Sequence, residues 1–288
     1  MSRQRSITTP QARQLALEID GVALLGDAQP GLAYQVALAA LDGAERGTLA
    51  ELAAAGPVSV TGSLFDDVAD VLTAIGCTVH LVADGADPFS SGARAVAVGC
   101  PHRSLRLDEV RLHDFLAAGS MLVTSDKAAL IPGLRELLPT LKPRAPRRAR
   151  LALAGGGEEG GLLPAVNLDA GHAPLDVERL HASAEVLAYD GLTGEPLVVA
   201  LPVANGRVIH AVPHWRQPTD AALTGLELRP LATVANYREF VPSGGEELTL
   251  GAFWSALGML RSLVAGLAHA VGAGRELPDH ADPLGRLP

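Results

Sequence analysis

Cys100, His102, Ser125, Asp126, His172, His210 and His214 are the side chains of this sequence that could attack, shuttle a proton or ligate a metal. Cys100 and His102 follow the apolar run Ala95-Val96-Ala97-Val98, which stops at Gly99. Ser125 and Asp126 follow a second run, Met121-Leu122-Val123. Unbroken apolar runs of this length suit parallel strands covered on both faces. In open α/β sheets the ligand site lies off the carboxyl ends of the strands. Both runs therefore point at one predicted pocket: Gly99, Cys100, His102 and Asp126, joined by His172 from a later segment.

Three chemistries compete for that pocket. In a serine hydrolase, Ser125 is the nucleophile, His210 or His214 the base, and the amides near Gly99 and Cys100 the oxyanion donors. The string Thr124-Ser125-Asp126 equally suits a plain strand end with Asp126 capping the next helix. Cys100 could be an activated thiol at a strand end, or a structural cysteine. A divalent-metal site could gather His172, His210, His214 and Asp169, imidazole and carboxylate donors suited to zinc. That spacing is not a known ligand pattern, and no metal or cofactor is assigned. The segment 155–161, GGGEEGG, lacks the Gly-Lys-Ser/Thr ending of a phosphate loop and reads as a plain acidic loop.

The elements that must position these residues alternate between strand and helix. A strand over 21–25, a helix over 30–41, a helical piece over 49–55 and a strand over 57–61 come first. Ser63 and Asp66 have the spacing of a capping box before a helix with Phe65, Val68, Leu72 and Ile75 on one face. A strand over 78–83, the strand at 95–98, a helix carrying Leu105, Leu112, Phe115 and Leu116, a Gly119 stop and the strand at 121–123 follow. Such alternation predicts right-handed crossovers and a parallel sheet. A helix to about 138, kinked or split at Pro132-Gly133, leads into the basic connector 142–150, KPRAPRRAR, read as a solvated linker or a patch for an acidic partner. Short strands are expected at 151–154 and 185–189. A hairpin of 196–203 and 207–212 is expected to turn at Asn205-Gly206. The last third is helical, with Phe253, Trp254, Leu257, Leu260, Val264 and Leu267 on a broad apolar face and Arg261 expected to meet a carboxylate or a helix end.

In this order, the chain resembles the class I glutamine amidotransferase-like superfamily. The resemblance rests on AVAVGCPHRSL from Ala95, LHDFLAAGSMLVTSD from Leu112, GHAPL from Gly171 and GRVIHAVPHWRQ from Gly206. It covers roughly residues 20–217 and is one of pattern and order. It implies a flavodoxin-like, doubly wound, mostly parallel sheet with a late antiparallel hairpin. The family's nucleophile is a Cys between glycines, yet the matching place reads Val123-Thr124-Ser125-Asp126-Lys127. Its late His is followed two residues on by Glu, whereas Val212 follows His210 and Arg216 follows His214. The glutaminase triad is broken on both sides, so the resemblance implies a non-amidotransferase member without the Cys-His-Glu triad.

The bulk numbers agree with an α/β fold of 1–217 and a C-terminal helical extension, 218–288, packed on it. Forty-eight per cent apolar residues can fill a sizeable core. Only 3% aromatics and a net charge of −9 disfavour base stacking and phosphate binding, hence nucleic acid. Two cysteines, no signal-like N-terminus and no uninterrupted membrane-length run point to a cytoplasmic protein outside the membrane. The reading that needs no missing residue is a catalytically silent domain binding a small ligand, a protein partner or a second copy. The hairpin, the connector and the last helix are its expected contact surfaces.

Overall fold

Alternating side chains decide which face of each strand meets which helices. A computed structural model describes residues 32–272 apart from 64–65, 67, 84, 101–104, 146, 154–165, 170, 216–227, 235–237, 242–244 and 246–247. The strand expected at 21–25, His102 and the acidic loop lie outside the described residues. Helices α1 (Leu32–Ala40) and α2 (Gly43–Ala54) precede β1 (Val58–Thr61), α3 (Val68–Ala74), β2 (Val79–Val82) and β3 (Ala95–Val98). Helix α4 (Glu109–Ala117), β4 (Met121–Ser125), β5 (Arg148–Leu153), β6 (Val166–Asp169), β7 (Glu185–Asp190), β8 (Pro196–Val203), β9 (Gly206–Ala211) and α5 (Leu250–Gly272) follow. The nine strands form one sheet in the order β2-β1-β3-β4-β9-β8-β7-β5-β6. The first five run parallel, and β8 to β6 extend them by antiparallel ladders. This is an α/β fold.

Val58, Val60, Ala95, Ala97, Met121, Val123 and Ile209 pack on one side with α1, α2, α3 and α5. Val96, Val98, Leu122 and Val208 pack on the other with Leu112, Phe115 and Leu116 of α4 and with Leu134 and Leu138. Both faces are covered, which is why the strands read as continuous apolar runs. Helix α4 starts at Glu109, later than Leu105 suggested, because Asp108 caps it by accepting from the Arg111 amide at 3.0 Å. Gly119 stops it with φ 83°, as expected of a left-handed terminus.

Four expectations are corrected. The helix expected over 126–138 is one 3-10 stretch, Asp126–Leu130, followed by turns, because Pro132 and Gly133 end it rather than kink it. The hairpin turns at Ala204-Asn205, one residue early, with Val203 opposite Gly206. Ala204 takes the left-handed conformation, φ 51°. Gly206 serves close approach instead, since a Cβ there would lie 2.4 Å from the Ser120 carbonyl oxygen and 2.5 Å from that of Leu116. The connector is exposed along much of its length but is tied to the fold. Arg148 onward is strand, Arg147 donates to Asp190 at 2.6 Å, and Arg144 donates to Glu195 at 2.9 Å. The true capping box is at α2, where Asp42 and Glu45 satisfy one another's amides.

Glu45 also accepts from Arg261 at 2.9 Å, the carboxylate partner expected for that arginine, and so ties α5 to α2. Among the described residues α5 is the one helix long and apolar enough to cross a membrane, and 83% of that stretch is buried against the rest of the fold. Strands β8 and β9 are interior to the sheet and α5 is a core helix, while in the connector Arg144 and Arg147 are paired and Lys142, Arg148 and Arg150 are exposed.

Candidate functional site

Strand β4 delivers its last residue in an extended conformation (Ser125, φ −140°, ψ 150°), and the chain then turns sharply at Asp126, φ 39°. A non-glycine residue held left-handed at a strand end costs on the order of 1 kcal/mol and persists where its surroundings fix it. They do so here. The fully buried Asp126 carboxylate accepts through Oδ1 from the backbone amides of His172 and Ala173, the latter at 2.9 Å. Its Oδ2 lies 3.0 Å from His172 Nδ1, 3.2 Å from His214 Nε2 and 3.6 Å from the Cys100 thiol. Burial alone would raise the carboxyl's pKa. The contacts from His172 and His214 outweigh it and hold Asp126 well below the usual carboxylate range.

Gly171 makes this docking possible. It is left-handed, φ 62°, and a Cβ would sit 2.1 Å from the Val212 carbonyl oxygen and 2.7 Å from Asp126 Oδ1. Gly99 has a related role at the end of β3, where a Cβ would come within 2.8 Å of the Ser63 Cβ and 3.1 Å of the Asp66 Cβ.

Asp66 is the site residue that sequence reasoning missed. Its amide donates to Ser63 Oγ at 3.1 Å, half of the expected box, but its carboxylate turns inward. There it accepts from the Ser125 hydroxyl at 2.7 Å and from the backbone amides of Cys100 and Trp215. One buried carboxylate from the turn after β1 thus stitches together the carboxyl ends of β3 and β4 and the segment after β9. Its position off the end of β1 was the available signal, since the strand-end rule that selected Gly99 and Asp126 applies there too.

Of the predicted pocket, the structure brings Cys100, Asp126 and His172 together, with Gly99 next to Cys100, and His214 joins them at Asp126. The Ser125 hydroxyl donates a hydrogen bond to Asp66, and His210 pairs through Nδ1 with Thr124 Oγ1 at 2.9 Å. His210 is fully buried, and burial pushes it down to about 4, with Asp126 opposing, so it is neutral at physiological pH. His210 also stands outside both clusters of metal-ligand type, Asp126-His172-His214 and Asp66-Cys100-His214. The period of two placed His210 and His214 together, but β9 ends at Ala211 and the chain turns before His214. Burial raises the Cys100 thiol; His214 opposes this, while Asp66 and Asp126 add to it. A thiol so placed is a poor thiolate nucleophile. Two carboxylates, two imidazoles and a thiol can hold protons or ligate a cation.

No protein-family model matches the chain, and no curated protein matches it. Among solved structures, a β-galactosidase from Rahnella sp. R3 is similar over 55% of this chain and 29% of its own, at 15% identity and a TM-score of 0.37. A β-galactosidase from Bacillus circulans is similar over 75% and 31%, at 13% identity and 0.39. A Thermoplasma acidophilum protein described as one chain of a GMP synthase is similar over 74% and 94%, at 11% identity and 0.42. The chain thus spans less than a third of either galactosidase.

Proposed function

We propose that this chain is a catalytically silent domain of the class I glutamine amidotransferase-like fold, acting as a ligand- or protein-binding component. The observation that carries this reading is Asp126. Directly after Ser125, at the sharp turn that ends β4, stands a carboxylate whose oxygens already face protein donors from three segments. The parallel strand order β2-β1-β3-β4-β9, with helices on both faces, supports the flavodoxin-like form of the sheet. Leu81 on edge strand β2, 56% exposed, offers a surface for a partner or a second copy.

The test is a comparison of wild type with Ser125→Ala. Neither protein should release ammonia from glutamine or react with a fluorophosphonate probe, and light scattering should show self-association that a charge at Leu81 reduces. Labelling of wild type that Ser125→Ala abolishes would establish the hydrolase reading instead.

A further inference from the structure

Asp126, His172 and His214 come from the turn after β4, the loop before residue 173 and the segment after β9, yet one donor atom from each lies within 4.8 Å of the other two. Two edges are 3.0 Å from Asp126 Oδ2 to His172 Nδ1 and 3.2 Å from Oδ2 to His214 Nε2. Ligand atoms bound at 2.0–2.2 Å to one ion are separated by roughly 3.3–3.6 Å in tetrahedral geometry and about 3.0 Å in octahedral geometry. Both edges lie within a few tenths of an ångström of these values. The Asp126 carboxylate is also oriented as a ligand needs: Oδ1 is tied down by two backbone amides, leaving Oδ2 to face the imidazoles.

From this geometry we infer that Asp126 Oδ2, His172 Nδ1 and His214 Nε2 form a binding site for one divalent transition-metal ion of the zinc class. Two imidazoles and one carboxylate select borderline ions over magnesium and calcium, which take oxygen donors. Three protein ligands leave a further position for water or for an atom of a bound ligand. The other cluster, Asp66-Cys100-His214, is the weaker choice. The Asp66 carboxylate is engaged by three donors and all three residues are buried, whereas the His172 side chain is 27% exposed and opens a path to solvent. The site gives the proposed ligand-binding role a ligand class, but it stands whether or not the domain is catalytically silent.

The test uses the full chain, stripped with chelator and dialysed against zinc, with bound metal counted by mass spectrometry. One zinc per chain is expected, and cobalt substituted for zinc should show the visible absorption of a low-symmetry site. His172→Ala, chosen because that side chain is partly exposed, should keep the native circular dichroism and bind at least about 10-fold more weakly. Wild type that fails to retain stoichiometric zinc, or prefers magnesium, overturns the inference, and so does a folded His172→Ala that binds zinc as wild type does. These readouts are independent of the hydrolase probe and of self-association, so failure here and failure of the silent-domain reading are distinguishable.

Discussion

Gly171→Ala should be among the most damaging single-methyl additions in this protein, and the structure separates its causes. The left-handed φ of 62° costs an alanine on the order of 1 kcal/mol. The added Cβ would lie 2.1 Å from the Val212 carbonyl oxygen, far inside contact distance, so the loop must move by an ångström or more. That movement pulls the His172 and Ala173 amides from the buried Asp126 carboxylate, and hydrogen bonds to a charged group contribute about 1.5–3 kcal/mol each. With partial relaxation the total is about 3–5 kcal/mol. Gly194→Ala is the control: its φ is 73°, but a Cβ there meets nothing within 4 Å, so it should lose only about 1 kcal/mol. Urea denaturation followed by the fluorescence of the buried Trp215 and Trp254 measures both. Equal losses in the two variants would refute the argument that Gly171 is required by the carboxylate's docking rather than by its backbone angle alone.

Further outcomes follow from the same contacts. Asp66→Ala leaves the Ser125 hydroxyl and two backbone amides buried without their acceptor and should lower stability by about 3–5 kcal/mol in thermal or urea melts. Gly206→Ala should cost more than about 2 kcal/mol by overpacking against two carbonyl oxygens, whereas Ala204→Gly should be neutral or mildly stabilising, the reverse of a turn at Asn205-Gly206. Stability should fall in two acid windows when unfolding is measured from pH 8 to 2. His210 is depressed to about 4 from an ordinary 6.5, so protons favour the unfolded chain as pH falls from 6.5 to 4, a loss of about 2–3 kcal/mol that His210→Asn should flatten. Glu195, held at about 2 by Arg144 and Arg147, contributes above its ordinary 4.5. Its stabilisation, about 1–2 kcal/mol after discounting solvent screening, is lost as pH falls toward 2 and is absent in Glu195→Gln.

Much of this architecture could be read from local pattern. The strands at 95–98 and 121–125 were legible because strands covered on both faces show as unbroken apolar runs between glycine stops. The meeting of Cys100, Asp126 and His172 was legible because strand ends share an edge of the sheet. What failed had its cause far along the chain. Ser63-x-x-Asp66 is locally a capping box, and nothing within the helix reveals that the carboxylate is taken by Ser125 and Trp215. Arg144 and Arg147 look solvated until Asp190 and Glu195 arrive more than 40 residues later. Gly206 fits a hairpin turn as well as it fits a close approach to Leu116, and only the packed backbone decides between them.

The sheet order also has a consequence for synthesis. Strand β4 is central in the finished sheet, but its neighbour β9 begins 81 residues after β4 ends, counting from Ser125 to Gly206. At ribosomal rates of roughly 5–20 residues per second, that gap lasts about 4–16 s. Throughout it the nascent chain presents Met121 to Ser125, fully apolar at its start, as an unpaired parallel edge able to template a neighbouring chain. Translation pausing between β4 and β9, or truncation just before Gly206, would therefore convert a fully buried strand of this protein into an aggregation hazard.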